Sequence, residues 1–317
     1  MAGWATRSSR ISARSPTPAR PHTPMESLVG WLDANLISIL NGVARGLLLF
    51  TMAVGLSLIF GLADVLNLAH GAVFLLGAYM AFQFAGDGTG FVVAVLAAVV
   101  LGVLLGGGLT AALRPISGRG HLDQALLTLG IAFVLSDIAS IVWGNDFRSV
   151  PPPAFLRGST NIVGHAYPTY RLAVIVVGLA IAGAVYALFE RTQLGAVVRA
   201  AVEDRAMVSA LGINVGRVLV AVFAIGSALA AFGGVIGGPV LAVNPGLDWE
   251  VLILALIVVV IGGLGSIKGA FAGALLIGQV QSLGVALVPQ LAAFLLFGAM
   301  AVVLLVRPEG LFGDVTA

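Results

Sequence analysis

Four long stretches of this sequence contain no charged side chain at all. Phe91–Leu113 has none across 23 positions, Leu172–Phe189 none across 18, Val218–Val243 none across 26 and Gly269–Val288 none across 20. Roughly 20 apolar residues rising 1.5 Å each span the ~30 Å hydrocarbon layer of a bilayer, so each stretch is a membrane-helix candidate. Reading the whole chain this way places segments near residues 36–60, 66–84, 91–113, 124–143, 172–189, 217–238, 250–265, 268–288 and 291–306. The segment at 250–265 is short and reads as a possible half-span. The expected fold class is an all-α polytopic membrane protein with eight or nine transmembrane helices.

Composition agrees. Hydrophobic residues make up 59% and charged residues 9% of the chain, whereas about a quarter of a soluble domain is charged. Cysteine is absent, which excludes disulfides, thiolate catalysis and thiolate metal sites. The net charge of +2 reflects loop arginines that set orientation rather than a nucleic-acid surface. The 42 glycines fall mostly inside the apolar runs. Several stand four apart (Gly102/Gly106, Gly233/Gly237, Gly234/Gly238, Gly265/Gly269, Gly269/Gly273), the spacing of closely packed membrane helices.

Residues 1–24 differ from everything that follows. They are rich in Ser, Pro and Arg, lack the apolar core of a secretory signal, and are expected to be disordered. Met25 is the expected true start, with residues 25–317 forming one membrane domain. With nine spans, Arg114, Arg119, Arg191, Arg199, Arg205, Arg217, Lys268 and Arg307 gather on one side, against Arg148, Arg157 and Arg171 on the other. Counted without the extension, the rule that positive loops stay inside puts the 191–217 loop in the cytoplasm. The longest outer connection, about 144–170 with three consecutive prolines, is expected to be an ordered surface loop.

Within the cytoplasmic loop, RAAVEDRAMVSALGIN (Arg199–Asn214) concentrates charge between two apolar runs. Gly195 to Leu211 reads as one short amphipathic helix, with Val198, Val202, Ala206 and Ala210 along one stripe and Met207 and Leu211 beside it. Gly212 suits the left-handed residue that closes a helix. A helix lying on lipid headgroups favours basic residues on its polar face. Here Glu203 and Asp204 balance Arg199 and Arg205, which favours docking to a protein.

Three stretches in order carry a resemblance. They are GLSLIFGLADVLNLAHGAVFLLGAYMAF (Gly55–Phe82, around Asn67–Gly71), the loop and helix running from TQLGAVVRAAVEDRAMVSALGIN onward, and VVIGGLGSIKGAFAGALLIG (Val259–Gly278). Together they resemble the ABC-importer permeases of the branched-chain amino acid type, closest to the LivH-like branch, over about residues 36–312. The resemblance implies a bacterial inner-membrane transport subunit that is not itself an enzyme. It implies separate ATP-binding subunits, a second permease (LivM-like, or a second copy of this chain) and an extracytoplasmic substrate-binding protein. Residues about 190–217 become the cytoplasmic coupling loop, with Arg199, Glu203, Asp204 and Met207 as contacts to the ATPase and Gly195 and Gly212 setting the geometry. The cargo implied is a branched-chain or related amino acid; related permeases carry urea or short amides, and the sequence does not separate these.

Inside the apolar segments, Asn67, His70 and Asp137 are the candidates for the translocation path, because ionisable groups in the membrane are costly. His70 reads equally as a structural histidine bonded to a neighbouring carbonyl. Arg45 reads as snorkelling to an interface. The GGLGSIKGA element (Gly262–Ala270) is not a phosphate loop, since Gly269 rather than Ser or Thr follows Lys268. No catalytic constellation, metal-ligand set or cofactor site is read. The alternative is an ion-coupled secondary transporter working without an ATPase, which calls for mid-membrane carboxylates and broken helices.

Overall fold

The computed structural model describes residues 24–84 and 88–313. The disordered extension expected over residues 1–24 lies, apart from Pro24, outside them. By its internal contacts the chain divides into residues 1–36 and 37–317.

Eleven α-helices are present among the described residues: α1 (Pro24–Ala63), α2 (His70–Phe84), α3 (Gly88–Leu113), α4 (His121–Trp143), α5 (Thr169–Arg191), α6 (Gln193–Glu203), α7 (Arg205–Ala210), α8 (Val215–Gly237), α9 (Leu247–Gly262), α10 (Ile267–Leu287) and α11 (Ala292–Val306). Seven of them (α1, α3, α4, α5, α8, α10, and α11 with its leading 3₁₀ turn) are long and apolar enough to cross a membrane. The other two apolar segments, α2 at 15 residues and α9 at 16, rise only about 22–24 Å and fall short of the ~30 Å core. The nine segments expected from the sequence are thus present, seven full length and two short.

Both short helices begin inside the bundle. After α1 ends at Ala63, residues 64–69 are irregular, so α2 starts at His70 rather than at residue 66 as expected. The imidazole Nε2 of His70 lies 3.1 Å from the carbonyl oxygen of Met52, eleven residues and about 16 Å before the end of α1. Thr128 of α4 props the irregular segment from the side, accepting from Leu68 N and donating to Leu66 O, both at 3.1 Å. α9 begins after a second irregular stretch, residues 238–246. Ser136 of α4 donates to Asp248 Oδ2 at 2.6 Å, and Phe133 lies against Trp249 with ring centroids 5.6 Å apart. The two helix starts touch. A Cβ on Gly71 would sit 2.4 Å from Asp248 O, so only glycine allows this approach.

The core lies along α1, α2, α8 and α9. Phe50, Met52, Phe74, Tyr79, Phe223 and Ile261 are fully enclosed there. The four-residue glycine spacing is packing: Cβ atoms on Gly102 and Gly106 of α3 would lie 2.6 and 2.4 Å from backbone oxygens of Ser227 and Phe223 on α8. Backbone approach of this kind replaces the hydrophobic drive that lipid cannot supply. Between α4 and α5, the connection over residues 144–168 is structured. It carries a β-hairpin, β1 (Ser159–Ile162) against β2 (His165–Pro168), turned at Val163 and Gly164 with φ of 49° and 85°. Arg45 is half-buried and lines a small cavity with Asn41 and Arg171, whose guanidinium donates to Asn41 Oδ1.

Candidate functional site

At the opposite end of the bundle from that hairpin, the chain leaves α5 and forms α6 and α7 before re-entering as α8. Thr192 caps α6, its hydroxyl accepting from Gly195 N at 3.3 Å. Gly195 is held against the end of α5: a Cβ there would stand 2.0 Å from Phe189 O, which no side chain tolerates. Arg199 strengthens the same joint. Its guanidinium donates to Phe189 O and lies 3.6 Å from the carboxylate of Glu190.

The single helix expected from Gly195 to Leu211 is two. Asp204 takes φ −151° and ψ 100°, and its Oδ1 accepts from Met207 N at 2.9 Å as the N-cap of α7. A carboxylate that satisfies one of the free N–H groups of a new helix start competes with continuing the old helix. The bend also changes which side chains point out. Gly195, Val198, Ala201 and Val208 are buried, while Val202, Ala206 and Ala210 of the expected apolar stripe face solvent. Arg205, itself exposed, donates to Leu62 O at the end of α1. α7 closes at Gly212, in the left-handed region at φ 81°, where Gly212 N reaches Ser209 O and Ile213 N reaches Val208 O. Asn214 then caps α8 through Arg217 N at 3.1 Å.

The candidate coupling residues therefore divide into two groups. Gly195, Arg199, Asp204 and Gly212 set the shape of the loop. Glu203 and Met207 are exposed, with Val202 and Leu211 beside them, and Met207 and Leu211 are 63% and 70% exposed. Three apolar side chains in solvent around a carboxylate are a surface that fits a protein better than water.

This surface borders a cavity of about 1310 Å³ walled by the end of α1 and Asp64 just after it, residues 117–124, the end of α5 with α6 and α7, residues 264–268 and Phe312. Arg119, Arg199, Arg205 and Lys268 line it together with Asp64, Glu190, Glu203 and Asp204. The loop was legible in the sequence but the basin was not, because its walls come from five separate parts of the chain, residues 58–64, 117–124, 189–206, 264–268 and Phe312. Arg114, Arg119 and Asp123, with Lys268 standing alone between Glu250 and Arg307, were the available signal. The 262–269 element forms the tight turn between α9 and α10. Gly263 and Gly265 take φ of 102° and 80°, and Ser266 Oγ accepts from Gly269 N at 3.0 Å to cap α10.

Of the path candidates, the structure brings Asn67 and His70 together at the start of α2, both fully enclosed within the single chain. The Asn67 amide and His70 Nδ1 have no partner among the described residues. Asp137 stands apart, exposed on α4. The buried carboxylate is instead Asp248, 3% exposed in the first turn of α9, which the sequence reading overlooked. No cluster of metal-ligating side chains occurs among the described residues.

Residues 38–305 match the family model of the branched-chain amino acid transport system permease component. The high-affinity branched-chain amino acid transport system permease protein LivH of Escherichia coli K12 is 31% identical over 296 residues, covering 88% of this chain and 95% of its own length. The LivH protein of Salmonella typhimurium is equally similar, at 31% over 296 residues with the same coverage. The permease protein BraD of Pseudomonas aeruginosa is 29% identical over 293 residues, covering 88% of this chain and 95% of its own. No solved structure matches the chain.

Proposed function

The chain belongs to the family of branched-chain amino acid transport system permease components, and from that premise we propose that it carries amino acids across a bacterial inner membrane as one permease of an ATP-driven importer. ATP is hydrolysed by separate subunits that dock on the exposed face of α6 and α7. A second permease, LivM-like or another copy of this chain, completes the path, and an extracytoplasmic binding protein delivers the cargo. Branched-chain amino acids are the cargo class, since the relatives named for that transport cover 95% of their own length in the match.

The observation that carries the reading is the α6–α7 joint. A compact lever stands outside the membrane, its shape held by Gly195, Asp204 and Gly212 and its outer face apolar at Val202, Met207 and Leu211. Arg199 and Arg205 tie it to the ends of α5 and α1, so motion imposed on the lever reaches two helices of the bundle. The ion-coupled alternative has no such use for a shaped, partly apolar surface in water.

Co-purification from detergent-solubilised native membranes tests this. Wild-type protein should bring down an ATP-hydrolysing subunit, and a Met207→Glu/Leu211→Asp variant should lose it while remaining monodisperse. Substitution at Asp204 is a poor test of contact, because it removes the cap that shapes α7. A wild-type preparation free of ATPase would overturn the proposal.

A further inference from the structure

Two carboxylates stand exposed on the flank of the bundle at membrane depth. Asp137 lies six residues before the outer end of α4 at Trp143, about 9 Å below it. Glu250 follows Trp249, whose ring packs on Phe133, ten residues and about 15 Å below the same end, near the middle of the ~30 Å hydrocarbon core. Both side chains are exposed, and neither has a hydrogen-bond or ion-pair partner among the described residues. They lie on two helices in contact, with Asp137 next to Ser136 and Glu250 next to Trp249, where Ser136 bonds Asp248 and Phe133 packs on Trp249. Along α9 the surface continues through Ile253, while Val251, Leu252, Leu254 and Ala255 are buried.

The α3 side of the bundle differs in charge. α3 exposes Val92, Leu96, Val100, Val103 and Leu104, and no charge between Phe91 and Leu113. An ionised side chain at the bilayer centre is disfavoured in hydrocarbon, and such groups face the bundle interior or a water-filled cavity. Two unpaired carboxylates on one flank, next to helices that begin inside the bundle, therefore mark the flank that lipid does not cover. Broken helices at mid-membrane occur where irregular backbone lines a cavity.

Resting on the permease reading above, we propose that the α4–α9 flank carrying Asp137 and Glu250 is this chain's wall of the translocation path, facing the second permease across a water-filled seam. The α3 face is turned to lipid.

The absence of cysteine makes the test direct, since every introduced thiol is the only one in the chain. Asp137→Cys, Glu250→Cys and Ile253→Cys are made singly in the full complex, with Leu104→Cys on α3 and Phe155→Cys in the outer connection as references. Native membrane vesicles are treated with a charged, lipid-insoluble methanethiosulfonate reagent. A thiol needs water to ionise and react, so the α9 and α4 positions should react about tenfold or more faster than Leu104→Cys. Phe155→Cys reports that the reagent is active. Ile253→Cys replaces an apolar side chain on the same face, so the result does not depend on a variant that loses a carboxylate. If Glu250→Cys and Ile253→Cys are as inert as Leu104→Cys while Phe155→Cys reacts, the flank is dry and the proposal is wrong. Co-purified ATPase is measured on the same vesicles: inert thiols with ATPase retained overturn the wall alone, and loss of ATPase from wild type overturns the function itself.

Discussion

Asp204 separates shape from contact in the coupling loop. Its carboxylate caps α7 by accepting from Met207 N, and α7 has only six residues, so the helix is marginal without tertiary support. Replacing an N-cap Asp by Ala costs about 1 kcal/mol. If the ATPase binds only the capped form, its apparent dissociation constant rises by the inverse of the capped fraction. At 1.4 kcal/mol per factor of ten, Asp204→Ala therefore weakens ATPase binding by up to about fivefold. Asp204→Asn keeps an oxygen acceptor at the cap and removes the charge, so it should bind within about twofold of wild type. Titration of the purified ATPase subunit against the permease in lipid nanodiscs reads both constants. Should Asn weaken binding as much as Ala, the charge acts on the ATPase directly and the capping argument fails. Should Ala bind as wild type does, α7 is not part of the docking surface.

Three further outcomes follow from the same geometry. Gly195→Ala forces a Cβ to within 2.0 Å of Phe189 O; overpacking of this kind costs about 1–3 kcal/mol, and recovery of the intact ATPase complex on size exclusion should fall, whereas Gly107→Ala, which meets nothing within 4 Å, should leave it unchanged. Arg205→Ala cuts the tie to Leu62 O and leaves Glu203, Met207 and Leu211 in place; ATPase should still co-purify, but amino-acid uptake per ATP hydrolysed should drop several-fold, and an unaltered ratio would show that the tie transmits nothing. His70→Leu removes the bond to Met52 O from an enclosed site; at about 1–3 kcal/mol for a lost buried bond, the tryptophan-fluorescence melting midpoint in detergent should fall by several degrees, and an unshifted midpoint would refute a holding role at the start of α2.

The membrane helices were legible because their signal is local. An uncharged run such as Leu172–Phe189 needs no knowledge of its neighbours, and α5 covers it. The break at residues 64–69 was not legible. Its residues, Asp-Val-Leu-Asn-Leu-Ala, are apolar enough to pass for helix, and the segment is held open by Thr128, 60 residues away. The bend at Asp204 was half visible. An Asp before a helical stretch is a start signal, but here helix-forming residues flank it on both sides, and the cap prevailed over the longer helix. Asp248 was missed for a third reason. Its position beside Trp249 and Glu250 reads as the edge of a span, and only the placement of α9 against Ser136 buries it. Asp137 was singled out in the sequence only as an ionisable residue inside an apolar run, and its exposure depends on which helices pack beside α4.

On the proposed function, this chain moves its cargo by coupling to ATP hydrolysed elsewhere. The most direct measurement is uptake of radiolabelled leucine into proteoliposomes, made once with the purified chain alone and once with the co-purified complex supplied with binding protein. The expected result is uptake by the complex only when ATP is present on the face that carries α6 and α7, and none by the chain alone under a proton or sodium gradient. Uptake by the chain alone, driven by an ion gradient and indifferent to ATP, would contradict it.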